Sequence, residues 1–381
     1  MPKGIMDDEK KIASKYFQGR GAQVNPHNRF FKTSYAQEFP EVIDEAMVQE
    51  EQTQYIEVFP KTIVNVVKSP DIPGMYSMNP YQGCEHGCLY CYARTTHEYW
   101  GYSSGLDFER KILVKKNAPE LLEKAFQKKN WESSPITLSG NTDCYQPIER
   151  KLEITRKILE VCLKYRHPVS LITKNALILR DLDIISELAK LNLVHVMISI
   201  TSLNEELRQK MEPRTVTYKN RLKVVRHLAD AGVAVGIMNA PIIPGLNSHE
   251  IPDVIKAASE NGATSAGYQI VRLNGAIADV FKDWLHKNFP DRADKVWNHI
   301  KSCHGGQVND SRFGVRAKGE GKIAESIRSL FKMSVKKYLP AGKAGMKGKD
   351  EFKYDEELFS KNRQQIFRQL QSKGQISLFD E

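Results

Sequence analysis

No stretch of this sequence is apolar for anything near the roughly 20 residues that a membrane-crossing helix needs. The opening segment, MPKGIMDDEKKIASKYFQGRG, has no apolar centre of the kind a secretory signal carries. A cytoplasmic protein without a membrane partner is therefore expected. Cysteine is scarce, six in 381 residues, and in that compartment a few cysteines serve as ligands or free thiols rather than disulfides. No period of the solenoid or propeller type recurs. Acidic residues are nearly missing from one region: between Arg312 and Lys349 there are eleven Lys or Arg and two acids, Glu320 and Glu325. Such a field suits a polyanion such as DNA or RNA bound through 312–349, although a solvated face accounts for it equally well.

What is present is an ordinary globular balance, 41% hydrophobic and 27% charged, in a chain long enough for a large domain with appendages. Between about residues 75 and 275, short apolar runs rich in Val, Ile and Thr alternate with helical patterns. The runs are 75–80, 135–142, 169–175, 194–202, 233–243 and 264–271; they are apolar on both faces, as buried parallel strands are. Leu179, Leu182, Ile185 and Leu188 form one helical stripe, and Ile251, Val254, Ile255 and Ala258 another. Gly232 and Gly262 stand where helices stop. Six strand–helix repeats predict an α/β fold with right-handed crossovers, its parallel sheet curled into a partial barrel with function at the C-terminal strand ends. Residues 1–70 read as an irregular N-terminal extension, 71–275 as the core and 276–381 as a basic helical appendage. Helices are expected near 278–301, 320–338 and 352–372, with a flexible connection at 339–350.

The stretch NPYQGCEHGCLYCYAR, residues 79–94, spaces Cys84, Cys88 and Cys91 as C-x-x-x-C-x-x-C. Thiolates are the soft ligands that iron–sulfur clusters take, and three thiolates on four irons leave one iron open to chelate a small molecule. The alternatives are a zinc site or a cluster with a fourth protein ligand, His86 or His97. Structural zinc usually gathers its ligands as two pairs, whereas this is one tight triplet after a strand.

With Tyr90 just before the last cysteine, the triplet resembles that of radical S-adenosylmethionine (SAM) enzymes. CLYCYAR, GNTDCYQPIE, LITKN, ISITSLN, EPR and APIIPGLN further resemble the spore photoproduct lyase, or DNA repair photolyase-like, group over roughly 65–275. The resemblance implies a partial (β/α)6 barrel of the TIM-like type, a [4Fe–4S] cluster on Cys84, Cys88 and Cys91, SAM on the open iron, and a 5′-deoxyadenosyl radical. It also implies an electron donor such as flavodoxin or ferredoxin. Tyr90 would lie against the adenine end of SAM, and Tyr92 matches a tyrosine of a radical relay. Thr142 and Asp143 fall at a Ser-Asp pair near the cofactor. Lys174 fits a lysine on the SAM carboxylate, Ser199 a serine near the ribose and methionine, and Arg214 a contact to carboxylate or substrate phosphate. One departure matters. Gly140 stands where the lyase has its hydrogen-donor cysteine, and Cys144, just after Asp143, is the candidate substitute at the mouth.

Cys162 lies on the apolar face of a helix and reads as core; Cys303, beside His304, reads as a packed thiol before it reads as a ligand. The tail motif Gln375 to Phe379, QISLF, resembles the peptide that docks on the bacterial sliding clamp. Together these features point to a radical enzyme acting on nucleic acid, by lesion repair or base modification. A radical enzyme for a peptide or small metabolite, and a non-catalytic iron–sulfur or zinc DNA-binding redox sensor, are the two rivals.

Overall fold

The computed structural model describes residues 17, 19–31, 52–71, 76–339 and 352–372. The connection at 340–351 and the motif Gln375–Phe379 lie outside them. No described helix is long and apolar enough to cross a membrane.

Two short strands, β1 (Gln54–Glu57) and β2 (Val64–Val66), open the described chain, followed by β3 (Tyr76–Met78) and β4 (Tyr81–Gln82). A 3-10 helix (Tyr92–Trp100), α1 (Leu106–Arg110), β5 (Lys111–Val114) and α2 (Ala118–Gln127) come next. From there strands and helices alternate: β6 (Ile136–Leu138), α3 (Glu149–Leu152), α4 (Ile154–Tyr165), β7 (Val169–Thr173), α5 (Leu182–Lys190), β8 (Val194–Ser199), α6 (Glu205–Met211), α7 (Tyr218–Asp230), β9 (Ala234–Ile242), α8 (Ile251–Glu260) and β10 (Ser265–Ile270). The C-terminal part is helical: α9 (Ile277–Asn288), α10 (Ala293–Ser302), α11 (Gly321–Tyr338) and α12 (Glu357–Ser372).

The main sheet has the order β10-β9-β8-β7-β6-β3-β2. Its six central and outer strands, β3 and β6 to β10, run parallel in chain order, and β2 adds an antiparallel edge. These are the six expected runs, each trimmed at its ends. Their inward residues Leu138, Leu171, Val196, Ile198, Val235 and Ile237 are almost fully buried, and Ile158, Leu159, Ile185, Leu188, Val225 and Ile255 close over them from the helices. Glycines end α7 and α8 as expected: Gly232 and Gly262 take φ of 76° and 92°, the left-handed region in which a Cβ is strained.

One expectation is corrected. Residues 52–70 are not irregular, since β2 extends the main sheet and β1 pairs with β5 and, through it, β4 in a second three-stranded sheet. β1 is half-exposed and only four residues long, so it offered no apolar run. The stretch around Gly21 is irregular, as expected, and is tied to the body of the fold. Gly21 and Ala22 donate their backbone N–H groups to the Glu109 carboxylate (3.0 and 2.8 Å), and Asn28 donates to the Glu98 carbonyl (2.9 Å). A Cβ on Gly21 would stand 1.7 Å from the carbonyl oxygen of Gly87, so only glycine allows this approach.

Candidate active site

The cysteine loop leaves β4 and re-enters the fold as the 3-10 helix. It is anchored from both sides: Cys84 N–H donates to the Phe108 carbonyl (2.9 Å) and Leu89 N–H to the Met211 carbonyl (3.1 Å). Buried Arg94 stitches its inner face, donating to the carbonyls of Cys88 (2.9 Å) and Gly105 (2.9 Å) and to Glu109 (2.6 Å). Glu109 therefore binds Arg94 and the N-terminal strap together, and the loop is pre-shaped by a buried ion pair whose remaining lone pairs are satisfied.

Cys84 and Cys88 are buried and Cys91 is half-buried. Burial pushes all three thiols up, Cys88 to about 12, with nearby Lys174 pulling Cys88 and Cys91 down. Among the described residues no three His, Cys, Asp or Glu side chains converge closely enough to chelate a single metal ion. The donor set itself is three soft thiols on one eight-residue loop (84–91), which fits a multi-iron cluster better than mononuclear zinc with its ligands drawn in to about 2.3 Å.

Around the loop the strand ends supply polar groups. Asp143, after β6, accepts hydrogen bonds from Thr173 Oγ1 (2.8 Å), Lys174 N–H (2.9 Å) and Tyr145 N–H (2.9 Å), and lies 3.4 Å from His86 Nδ1. Burial works against its charge, yet His86 and these donors hold its carboxyl down to about 2. Lys174 follows β7, its ammonium 6.0 Å from the centre of the Tyr90 ring and within electrostatic reach of Cys88 and Glu212. Ser199 ends β8, nearly buried, with its carbonyl accepting from Arg221 (3.0 Å). Arg214 is about a third exposed, 4.0 Å from Glu85.

The EPR segment was read for its arginine, but its carboxylate is the hub. Glu212 is fully buried and accepts from the Tyr90 hydroxyl, Thr201 Oγ1 (2.6 Å) and Arg221 Nη2 (2.5 Å). Burial opposes its ionisation, but Arg221 and Lys174 hold it down to about 2. Tyr90 and Lys174, expected separately, are thus gathered around one unexpected acid, and Ser199 meets that acid's partner Arg221 through a backbone carbonyl. His86, which the sequence offers only as an alternative fourth ligand, is also brought in: it sits between Cys84 and Cys88, facing Asp143 and, through Nε2, Asn175 (3.3 Å).

Two expectations are corrected or narrowed. Cys144 is fully buried in the main core, its backbone N–H bonded to Ser139 Oγ (2.8 Å) and its carbonyl to Thr155 (2.7 Å). It is not presented at the mouth as a donor would be. Thr142 turns inward, its hydroxyl donating to the Tyr81 carbonyl (2.6 Å), so of that pair only Asp143 meets the site. Cys303 is packed in the core, as expected, and His304 Nε2 contacts the Val271 carbonyl (2.7 Å). Tyr92, by contrast, is 43% exposed beside Cys91, and its hydroxyl donates to the carbonyl of Gly140. The position that lacks the expected cysteine is occupied by contact with the relay candidate.

The Radical SAM superfamily profile matches residues 78–258. An uncharacterised protein of Mycobacterium tuberculosis is 31% identical over 238 residues, 62% of this chain and 70% of the relative. One from Methanocaldococcus jannaschii is 29% identical over 246 residues, 64% of this chain and 87% of the relative. Among solved structures, spore photoproduct lyase complexed with dinucleoside spore photoproduct shares the fold with a TM-score of 0.56 at 16% identity, covering 75% of this chain and 80% of the lyase. A form of that lyase with bound AdoMet aligns equally well, at 0.56 and 17% identity.

Proposed function

The chain belongs to the radical SAM superfamily, whose cofactors are a [4Fe–4S] cluster and SAM, and from that premise we propose that it is an enzyme acting on nucleic acid, by lesion repair or base modification, with Cys84, Cys88 and Cys91 as its cluster ligands. When bound, the cluster and SAM supply a 5′-deoxyadenosyl radical by one-electron cleavage of the sulfonium bond.

The observation that carries the reading is the convergence of the thiol loop with Asp143, Lys174 and Glu212 at the C-terminal ends of parallel strands, where this fold class collects ligands. Lys174 would take the carboxylate of SAM, held near the loop by the Glu212 charge and the Tyr90 ring. Asp143 fixes the turn that presents Lys174 by accepting its backbone N–H. Tyr92, half-exposed directly after Cys91 with its hydroxyl on Gly140, would be the side chain that meets an incoming substrate. Support for a polyanionic substrate comes from the outer face of α11, where Lys322, Lys332, Lys336 and Lys337 are exposed.

Anaerobic reconstitution with iron and sulfide, reduction, and assay for 5′-deoxyadenosine with and without DNA or RNA tests the proposal. Cleavage of SAM that rises with nucleic acid and disappears in Cys88→Ala is expected. Cleavage indifferent to any nucleic acid moves the substrate to a peptide or metabolite; no cleavage at all from iron-loaded protein returns the chain to a sensor.

A further inference from the structure

Arg272 follows β10 on the rim of the same mouth and is used by nothing described so far. Its backbone is clamped on both sides: Val271 N–H donates to the Ile242 carbonyl (2.9 Å) and Leu273 N–H to the Val308 carbonyl (2.9 Å). Val271 and Leu273 are buried while Arg272 is only partly covered, so its side chain leaves the core at a fixed root. The same turn rests on the helix that carries Tyr92, through Asn274 Nδ2 to Thr95 Oγ1 (3.4 Å) and Gly275 against the Thr95 methyl. Segment 312–317 lies alongside, with Ile270 N–H donating to the Ala317 carbonyl (2.9 Å), and it brings Arg316 next to Arg272.

The two guanidiniums differ in one respect. Arg316 is neutralised: Nε donates to Asp71 (2.5 Å) and Nη2 to Ser69 (2.5 Å), and the other Asp71 oxygen accepts from Gly314 N–H (2.6 Å). Asp71 is thus fully engaged. Among the described residues nothing accepts a hydrogen bond from the Arg272 guanidinium; burial and the charge of Arg316 weigh against its cation, and nearby Tyr92 and Asp71 offset only part of that. A half-buried, always-charged group that spends none of its five donors on the described residues presents a fork of a shape that matches a phosphate bidentately. We propose that Arg272, backed by Arg316, is a phosphate subsite at the rim of the mouth, one that holds a backbone phosphate of the substrate beside Tyr92. The identity of that phosphate as part of a nucleic acid rests on the function proposed above; the subsite itself does not.

Two measurements on the full, cluster-loaded chain separate these. In the first, the wild-type protein is treated with phenylglyoxal with and without inorganic phosphate, and the peptide carrying Arg272 is followed by mass spectrometry. Modification at Arg272 that phosphate suppresses is expected; modification that phosphate leaves unchanged, or an Arg272 the reagent cannot reach, overturns the subsite. In the second, a fluorescent twelve-nucleotide single strand is titrated against wild type and Arg272→Gln. The variant is expected to bind about tenfold more weakly, a charge-assisted hydrogen bond's worth, with its salt slope reduced by about 0.7–0.9. Equal affinity in the two proteins overturns the subsite while the nucleic-acid reading stands. Phosphate protection in a protein that binds no strand at low salt keeps the subsite and removes the nucleic acid. The protection experiment needs no variant, so a folding failure of Arg272→Gln does not shield the proposal.

Discussion

Three side chains, from Tyr90, Thr201 and Arg221, donate to the carboxylate of Glu212, and Thr215 donates to its backbone carbonyl (2.8 Å). Removing its charge would leave Arg221 buried without a counterion beside Lys174, and breaking a buried pair in this way costs about 3–5 kcal/mol. Glu212→Gln is therefore expected to lose that much stability in urea unfolding; a loss below about 1 kcal/mol would show that the acid is not what holds the hub. Lys174 and Ser199 make a finer prediction. Neither contacts the thiols through a hydrogen bond, so Lys174→Ala and Ser199→Ala should keep their iron. Lys174→Ala should weaken SAM binding about tenfold or more, and Ser199→Ala less, measured by equilibrium dialysis on cluster-loaded protein. Unchanged SAM affinity in both removes them from the site. The contrast between these residues explains what was legible. Cys84, Cys88 and Cys91 announce themselves because their chemistry lies in their spacing along eight residues. Lys174 and Ser199 follow from strand ends. Glu212 and His86 acquire their roles only from partners far along the chain: Tyr90 stands 122 positions from Glu212, and Asp143 is on another strand's end from His86. A lone acid or histidine in a polar loop carries no such signal.

Among the elements, the long apolar strands β7 to β10 were readable from their composition, whereas β1, β4 and β5 were not. The latter are two to four residues each and pair with one another across long loops, so neither length nor alternation betrays them. The segment leading through α12 was readable as a helix but not as to where it lies. It crosses the N-terminal ends of the sheet: Phe352 stacks on His195 in β8 (5.5 Å between centroids), Asp355 N–H donates to the Asn192 carbonyl (3.2 Å), and Phe359 packs edge-on against Phe126 and His167. His167 Nε2 accepts from the Trp131 indole N–H (3.0 Å), so its ring is neutral. Burial pushes His195 down to about 4 and His167 to about 3. An unfolded chain takes up these protons near pH 6.5 and the folded one does not. Stability contributed by both rings is thus complete above pH 6.5 and is lost as pH falls from there toward 4 and 3. Unfolding free energies from urea titrations at pH 7.5, 6 and 5 should decline with a limiting slope of up to about 1.4 kcal/mol per pH unit for each histidine. In His195→Phe, which keeps a ring for Phe352 to stack on, the decline should be shallower. A free energy flat over this range contradicts the burial of these rings.

At the scale of the whole molecule, the basic region is less uniform than its charge count. Arg312 is held by Asp310 and Glu320 and Arg316 by Asp71, so neither is spare for a backbone. The outward lysines of α11 remain, since Ala324, Ile327 and Phe331 turn that helix's other face into the core. Reversing Lys332, Lys336 and Lys337 to Glu should weaken binding of any nucleic-acid sequence alike and lower the salt slope by about 0.7–0.9 for each phosphate no longer neutralised. An unaltered slope would leave α11 a solvated face. The strand order also bears on how the chain is made. Because β3 and β6 to β10 lie side by side in the order in which they are written, each new strand emerging from a ribosome meets its neighbour already in place, and the growing edge is always the last strand made. The exceptions are the two ends. The Gly21 strap waits for Glu109 to appear, and the aromatic seat of Phe126, Trp131 and His167 waits for Phe359, more than 190 residues further on. During translation the sheet thus acquires its strands in sequence while its floor stays open and greasy, and that unfinished floor is the surface a nascent-chain chaperone would meet.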